Sequence, residues 1–408
     1  MIDKNLDANK NNYIFLFSIL ILLSLYSVNI YSRFKFSDAA LIIYIIVSII
    51  KFKRIYIDTF NSTYFLWLFL VLLFSFTLIN NNYFSYENFT LSFFRASLGV
   101  LSGFFIPLWL KTKEDKLAGI HALKSIIVLH VFIQFSFFIL FYSGITNIFN
   151  IIPHGNQFNR GEWLNIYNYT NYFRFGGIFE EPSWYCWFMI FSIGIIITYE
   201  KNNNITIVNS KLFLMVFFSF ILTFSISGLV SFLVLGLIKL RLIKISIRTI
   251  IFITLIMIAS ICIYYQINDT AFFERLTLVI SGNDNSSNNR IMGSFDRLYY
   301  VMKNNSFGTG LGNSNQGINF YSNLEGVNLG DSTSNQNGFF EPFISTGLIC
   351  GILYLAPIIK LIFNKNTIFI FVTISLVFFT TSAIYNSTMW FFIFLSYYLT
   401  QQFNENRD

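Results

Sequence analysis

The stretch LFLMVFFSFILTFSISGLVSFLVLGLI (residues 212–238) decides how the rest of the chain is arranged. It is long enough for one membrane-spanning helix, but Ser227 and Gly228 interrupt it near its middle. Lys239 and Arg241 follow it, and positive charge is typical of the cytoplasmic side of a membrane. A single crossing would place that charge outside, whereas two short helices return it to the cytoplasm. The sequence therefore predicts a broken pair of helices.

The composition indicates an integral membrane protein. Of 408 residues, 55% are hydrophobic and 12% are charged, whereas about a quarter of the residues of a soluble protein are charged. Apolar stretches of roughly 20 residues recur along the chain without the alternation of a β-barrel, so α-helices are the predicted spanning elements. The net charge of +7 comes from Lys and Arg in short connections. Membrane topology accounts for that pattern, and a nucleic-acid partner is not implied.

The predicted fold is an all-α polytopic membrane protein with about twelve transmembrane segments, some of them short or broken. The whole chain, residues 1–408, forms one integral membrane domain. The predicted segments cover about 13–31, 37–50, 62–79, 91–110, 120–142, 182–199, both halves of 212–238, 249–267, 339–359, and both halves of an apolar region at 367–400 that breaks at Asn386.

This count places both termini on the cytoplasmic side of the membrane. Two sizeable polar loops, 143–181 and 268–338, then lie on the same outer face. Had residues 212–238 crossed once, the two loops would lie on opposite faces. The two loops can form one site only because the broken stretch at 212–238 crosses the membrane twice and returns the chain to the side where it started.

Candidate chemistry in the first loop lies at its membrane-proximal end. Arg174 is followed by two glycines and then by Glu180 and Glu181. A guanidinium group suits pyrophosphate because its planar fork makes paired, charge-assisted hydrogen bonds, and a carboxylate can take a proton from a sugar hydroxyl. The alternative is an interfacial arginine with glutamates that stabilise a helix N-terminus.

In the second loop, Arg290 and Arg297 are seven residues apart, which puts them on one face of a helix. The alternative is an amphipathic helix on the membrane surface. Gly308 and Gly310 belong to a glycine run that could bring backbone N–H groups close to a phosphate, although such spacing is weak evidence outside a strand–turn–helix unit.

Three further residues complete the candidate set. Gln336 and Asn337 precede the next apolar segment, where Asn also suits a helix cap. Arg95 lies within an apolar segment, and an intramembrane arginine is a functional hypothesis whose alternative is snorkelling to the head groups. Cys186, Cys262 and Cys350 lie in apolar segments without paired spacing, so we expect no metal site, no disulfide and no cofactor.

Several short motifs together resemble the O-antigen polymerase (Wzy) family, within the group that includes the O-antigen ligases. They are Arg-x-Gly-Gly-x-x-Glu-Glu-Pro from Arg174, Thr-x-Ser-x-Ser-Gly from Thr223, and Arg290 eighteen residues before Gly308. The resemblance covers nearly the whole chain in layout. The sequence departs from the family pattern at two positions. Gln336 stands where relatives often carry His, and Ile226 stands where ligases commonly carry Arg.

The resemblance implies a GT-C-like, metal-independent glycosyltransferase. It would move a growing glycan from undecaprenyl pyrophosphate to the non-reducing end of a lipid-linked repeat unit. Arg290 with Glu180 or Glu181 would be catalytic. The residues implied in substrate binding are Arg174, Arg297, Arg95, Gln336, Asn337, Gly308 and Gly310. The implied partners are the lipid-linked donor and acceptor, membrane lipids, a chain-length regulator and a flippase.

Other functions remain open at this point. An O-antigen ligase would transfer the glycan to lipid A-core, a cell-wall polymerase of the SEDS type is a more distant enzyme, and a transporter or flippase of lipid-linked sugars is the non-enzyme alternative. Transporters usually place ionisable groups near the middle of the membrane, and this sequence has few there. The sugar, the linkage and the stereochemical outcome also stay open.

Overall fold

The computed structural model describes residues 2–25, 28–31, 33–145, 175–179, 181–223, 225–242, 285–326, 337–379, 381 and 384–401, with the backbone alone at 2–9, 226, 240–242 and 285–292. Most of these residues form helices. The elements are α1 (Ile2–Ser24), β1 (Asn29–Tyr31), β2 (Phe34–Lys35), α2 (Phe36–Phe52), α3 (Thr59–Leu78), α4 (Tyr86–Gly103), α5 (Ile106–Trp109), α6 (Lys113–Tyr142), α7 (Pro182–Asn203), α8 (Ser210–Thr223), α9 (Ile226–Leu242), α10 (Asn285–Asn304), α11 (Ser314–Leu324), α12 (Glu341–Lys360), a 3₁₀ turn (Leu361–Phe363), α13 (Ile368–Phe378) and α14 (Ser387–Thr400).

The structure agrees with an all-α membrane protein. Within the described ranges, five helices are long and apolar enough to cross a membrane: Thr59–Leu78, Tyr86–Trp109, Lys113–Tyr142, Pro182–Asn203 and Glu341–Phe363. Shorter apolar helices occupy Lys10–Ser24, Ser210–Thr223, Ser227–Lys239 and Ile368–Phe378. The predicted span at 249–267 lies outside the described residues, so the count of twelve stays a prediction.

Residues 212–238 form two helices, α8 and α9, which fold back on each other. Phe213, near the start of α8, stacks on Phe232 of α9 with ring centroids 4.7 Å apart. Phe217 lies one turn further along α8 and also contacts Phe232. On one continuous helix residues 213 and 232 would lie about 28 Å apart, so their contact requires the chain to fold back. The predicted break is therefore confirmed as a fold-back of the chain. It lies between Thr223 and Ile226, a few residues before the predicted hinge at Ser227 and Gly228, which are part of α9.

The first helix was predicted with the wrong bounds. It ends at Ser24 instead of continuing to Tyr31. Asn29–Tyr31 instead pairs antiparallel with Phe34–Lys35 in a short hairpin, which leads directly into α2. The hairpin satisfies backbone groups that a longer helix would have satisfied internally, and it turns the chain back within a few residues.

Hydrogen bonds between helix termini show which of these termini lie together at each of the two ends of the helix bundle. At one of them Lys116 Nζ donates to the carbonyl of Gln401 at 2.7 Å, and Asn202 Nδ2 donates to the carbonyl of Thr400 at 3.0 Å. We call this the basic end, because many Lys and Arg residues of the helix ends and short connections lie there: Lys51, Lys53, Arg54, Lys111, Lys113, Lys116, Lys201, Lys360 and Lys365.

The opposite end is called the loop end. There Asp38, at the start of α2, accepts from Arg95 Nε at 3.1 Å and from the Ser387 hydroxyl at 2.9 Å. Ser85 donates its backbone N–H to Asn313 Oδ1 at 2.8 Å, which fixes the segment before α11 against the start of α4. Helices α10 and α11 therefore lie at the end that carries the two large polar loops.

The core is centred on α7 and α14. In α7, 89% of an 18-residue apolar stretch is buried. Helix α14 packs against α2, α4, α6 and α7. Gly99 and Gly103 make a groove on α4 in which a Cβ would lie only 2.3 Å from Trp390 Cβ and 2.6 Å from Phe394 Cδ1. Small residues four positions apart allow membrane helices to pack closely, and Trp390 and Phe394 of α14 lie in this groove.

Candidate active site

Helix α10 confirms the prediction that Arg290 and Arg297 share one helix. Its inward stripe contains Ser294, Arg297 and Val301, which are buried, whereas Phe295 and Tyr299 are 58% and 57% exposed. Arg297 is 1% exposed, so it faces the protein and does not snorkel from a surface helix. The side chain of Arg290, two turns earlier, lies outside the described residues.

Glu341, the first residue of α12, accepts hydrogen bonds from hydroxyl groups in three separate parts of the chain. Its Oε1 accepts from Ser314 of α11 at 2.6 Å, from Ser345 one turn along α12, and from Tyr385 before α14. The carboxylate is 1% exposed. A buried carboxylate needs such donors and an opposite charge to offset its loss of hydration.

Arg297 supplies that opposite charge. Burial lowers the pKa of the Arg297 guanidinium, and the carboxylates of Glu341 and Asp296 counteract that shift. The group stays cationic because an arginine does not lose its proton in proteins. A buried cation and a buried carboxylate thus join α10 to α12. We define Arg297, Asn337 and Glu341 with Ser314, Ser345 and Tyr385 as the polar cluster.

Asn337 adds a hydrogen-bond donor to the polar cluster. Its backbone N–H donates to Ser294 Oγ at 3.3 Å, and its Oδ1 accepts from the backbone N–H of Phe339 at 2.9 Å. The latter bond closes a turn before α12, whose N-cap residue is Phe340 and not Asn337. Its Nδ2, however, is buried and has no hydrogen-bond partner among the described residues. Since buried donors are nearly always satisfied, this amide is suited to an oxygen of a bound substrate.

The glycine run has a packing role in the structure. Gly308 has φ +79°, and a Cβ there would lie 2.6 Å from the backbone nitrogen of Gly347. Its N–H donates to the carbonyl of Asn305 at 3.1 Å, which closes a turn. Gly310, with φ +88°, packs against Phe84. The suggested contact of Gly308 and Gly310 with phosphate stays a prediction, and the geometry gives both glycines a second reason to be present.

In the first loop, the structure describes residues 143–145 and the end that enters α7. Glu181 is the N-cap residue of α7, and its Oε1 accepts from the Ser183 hydroxyl at 2.6 Å. Gln134 of α6 donates to the carbonyl of Phe175 at 2.6 Å and fixes the preceding turn. Arg174, Glu180 and Gln336 lie outside the described residues, so their proposed roles stay predictions.

Arg95 has structural partners at the loop end. Besides Asp38, its guanidinium donates to the backbone carbonyl of Arg33. Asp38 is fully buried, and the Arg95 side chain is 12% exposed. These contacts tie α4 to α2 and to the hairpin, which gives this intramembrane charge a structural explanation independent of substrate.

One comparison with known proteins identifies the family. The model of the WcaD colanic acid polymerase family matches residues 14–402. The chain belongs to this family. No curated protein matches the chain. The WcaD family match confirms the prediction of a membrane-embedded polysaccharide polymerase of the glycosyltransferase type. Membership of the Wzy family in particular stays a prediction.

Sequence reasoning missed half of the polar cluster in this WcaD family member. The sequence does not single out Ser314, Ser345 and Tyr385, and on sequence grounds Glu341 has only the role of a carboxylate that favours a helix N-terminus. Glu341-Pro342 at the start of an apolar segment was the available signal, because an acid there must find buried partners. Tyr385 lies 44 positions away, and its pairing with Glu341 depends on how α12, α13 and α14 fold back.

Proposed function

We propose that the protein polymerises a surface polysaccharide at the periplasmic face of the bacterial inner membrane. The growing glycan moves from undecaprenyl pyrophosphate to the non-reducing end of a newly flipped, lipid-linked repeat unit. The observation that carries the proposal is the WcaD family match together with a buried arginine–carboxylate cluster at the loop end. Metal independence, a GT-C-like architecture and twelve crossings belong to the same proposal.

The distribution of charge supports the assignment of faces. Lys and Arg residues concentrate at the basic end, and such residues favour the cytoplasmic side. The polar cluster lies at the opposite end, as the bonds from Ser314 and Tyr385 to Glu341 require. A lipid-linked repeat unit that has been flipped to the periplasm would meet the protein at that face.

The reaction exchanges one bond to the anomeric carbon for another. The acceptor hydroxyl oxygen attacks the anomeric carbon of the donor, the bond to the pyrophosphate oxygen breaks, and undecaprenyl pyrophosphate leaves. We assign the hydroxyl proton to Glu180 or Glu181. We do not assign it to Glu341, whose side chain is buried and whose Oε1 already accepts hydrogen bonds from three hydroxyl groups.

The arginines have different roles in this proposal. Arg174 and Arg290 hold the pyrophosphate and stabilise the negative charge that grows on it, an interaction that is stronger in a site shielded from water. Arg297 is buried beside Glu341, and we assign it the positioning of α10, which carries Arg290. Asn337 Nδ2 is available to a sugar or phosphate oxygen.

Replacement of Arg290 by Ala tests the proposal. We expect inserted, normally expressed protein and a loss of long surface polysaccharide, because the charge on the leaving pyrophosphate is no longer stabilised; loss of one such electrostatic contact costs about 100-fold or more in rate. The measurement is the length distribution of the polymer on a gel, in a deletion strain that carries each variant.

Lys303→Ala is the matched control. Lys303 lies on the same helix and pairs with Glu325 at 2.8 Å, but it is 48% exposed. It should leave polymer length unchanged. Normal polymer length in Arg290→Ala contradicts the proposed role. A deletion strain that lacks even single attached repeat units points to a ligase instead.

A further inference from the structure

A cavity of about 230 Å³ lies at the basic end, away from the polar cluster. It is enclosed by the start of α3, the end of α12 with the 3₁₀ turn, and the end of α14. The lining residues are Thr59, Phe60, Thr63, Ala356, Pro357, Lys360, Leu361, Asn364, Thr367, Tyr397 and Gln401. None of these residues has a role in the proposed transfer reaction.

The lining combines an apolar wall with one positive charge. Phe60 stacks on Tyr397 with ring centroids 3.9 Å apart, which forms the flat inner wall. Lys360, an exposed residue at the last turn of α12, is the charged group among the lining residues, and Asn364 and Gln401 add amides. An apolar cavity with a cation at its rim fits an amphiphilic molecule with an anionic head.

Among the described residues, the acid that adjoins the lining in the sequence has hydrogen-bond partners of its own. Asp58 precedes Thr59 but does not line the cavity. Its carboxylate accepts from the backbone N–H of Asn61 at 2.9 Å and from the Tyr398 hydroxyl at 2.9 Å. These bonds hold the Asp58 charge at the N-terminus of α3, where a carboxylate is favourable, and Lys360 determines the charge of the cavity.

The walls of the cavity continue as lipid-facing surfaces. Helix α3 exposes large apolar side chains along its length, among them Leu66 and Phe69, at 47% and 53%. Helix α12 does the same with Ile352 and Leu348, at 54% and 50%. The 20 residues of α3 extend over about 30 Å, the thickness of the hydrocarbon core. Acyl chains can therefore lie against these helices while the head group occupies the cavity.

We propose that this cavity binds the phosphate head group of an anionic phospholipid of the cytoplasmic leaflet. Lys360 contacts the phosphate, and the acyl chains follow the exposed faces of α3 and α12. Anionic lipids are concentrated in that leaflet, to which basic residues of the protein also point. The inference uses the identity of the basic end as cytoplasmic, but not the chemistry proposed at the loop end.

The test is native mass spectrometry of the full-length protein, purified in detergent, with phosphatidylglycerol or phosphatidylcholine of identical acyl chains. The wild type should retain phosphatidylglycerol in preference to phosphatidylcholine. Lys360→Ala should weaken that retention about fivefold, the contribution of one basic residue near an anionic lipid surface. Ala356→Trp keeps the charge but fills the cavity, and should also lose the lipid.

Lys365→Ala is the matched control, because Lys365 is exposed at the same end and does not line the cavity. It should retain phosphatidylglycerol as the wild type does.

Equal retention of the two lipids by the wild type, or equal losses in Lys360→Ala and Lys365→Ala, would overturn the proposal. Displacement of the lipid by millimolar inorganic phosphate would assign the cavity to free phosphate and overturn it as well. If Lys360→Ala fails to fold, Ala356→Trp decides the matter. Polymer length is not the measurement, so failure here is distinguishable from failure of the proposed polymerase.

Discussion

At the scale of single residues, the loop end is held together by buried charges with defined partners. Arg95 pairs with Asp38, and Arg297 opposes Glu341. Arg95 was identifiable from the sequence, because a charge in an apolar segment must be explained. Asp38 was not, since 57 positions separate the two residues and only the packing of α2 on α4 joins them.

Replacement of Asp38 by Asn tests the structural role of this pair. It leaves the Arg95 guanidinium largely buried without its counter-charge, so we expect a loss of about 3 kcal/mol in stability, as when one partner of a buried ion pair is removed. The measurement is the aggregation temperature of the purified protein in detergent. Glu87→Gln is the control, because the Glu87–Arg33 pair at the same end is exposed and worth about 1 kcal/mol or less. Equal effects of the two substitutions contradict the structural role.

At the scale of elements, α12 is interrupted at Gly347, whose φ of 80° and ψ of 177° are not helical. The segment before α11 forms hydrogen bonds with the backbone groups of α12 that this interruption leaves free of helical partners. Thr309 donates its N–H to the carbonyl of Ile344 at 2.9 Å, and Leu348 donates its own to the carbonyl of Ser306 at 3.0 Å. The spacing of the glycines was visible in the sequence, but their partner was not, because nothing in residues 341–360 marks a helix that opens for a neighbouring loop.

Gly308→Ala tests this docking. We expect about 1–2 kcal/mol of backbone strain at positive φ, and about 1–3 kcal/mol more because the new Cβ meets the backbone of Gly347 and Ile344. Gly326→Ala is the matched control: its φ is +67°, and a Cβ there has no neighbour within 4 Å in the part of the chain that the structure describes. Thermal unfolding of both variants in detergent checks the difference. A Gly308→Ala loss no greater than that of Gly326→Ala contradicts the close approach.

At the scale of the whole molecule, charge and hydropathy were sufficient to predict the alternation of helices between two ends. The break in residues 212–238 was inferred from the position of Lys239 and Arg241, and Phe213 on Phe232 confirms the hairpin. The end of α1 was not predictable in this way, because the apolar sequence continues through Ile30 into the β hairpin. Hydropathy measures the cost of exposure and does not distinguish a helix from a short strand.

Cysteine labelling in intact cells tests the assignment of the two ends. In a variant without Cys186, Cys262 and Cys350, we expect a membrane-impermeant maleimide to label Asn323→Cys at the loop end directly. Asn203→Cys, at the basic end, should react only after the inner membrane is made permeable, because its side of the bundle faces the cytoplasm. Both positions are exposed in the structure. The reverse pattern would contradict the proposed orientation.

The groove at Gly99 and Gly103 has a consequence for how the protein is made. Its occupants, Trp390 and Phe394, belong to α14, which lies at the centre of the bundle and contacts α2, α4, α6 and α7, all of which precede it in the chain. These helices are therefore synthesised before the segment that packs between them, and the groove on α4 stays open until α14 has been made. A ribosome that stops before Ser387 leaves a bundle without its middle.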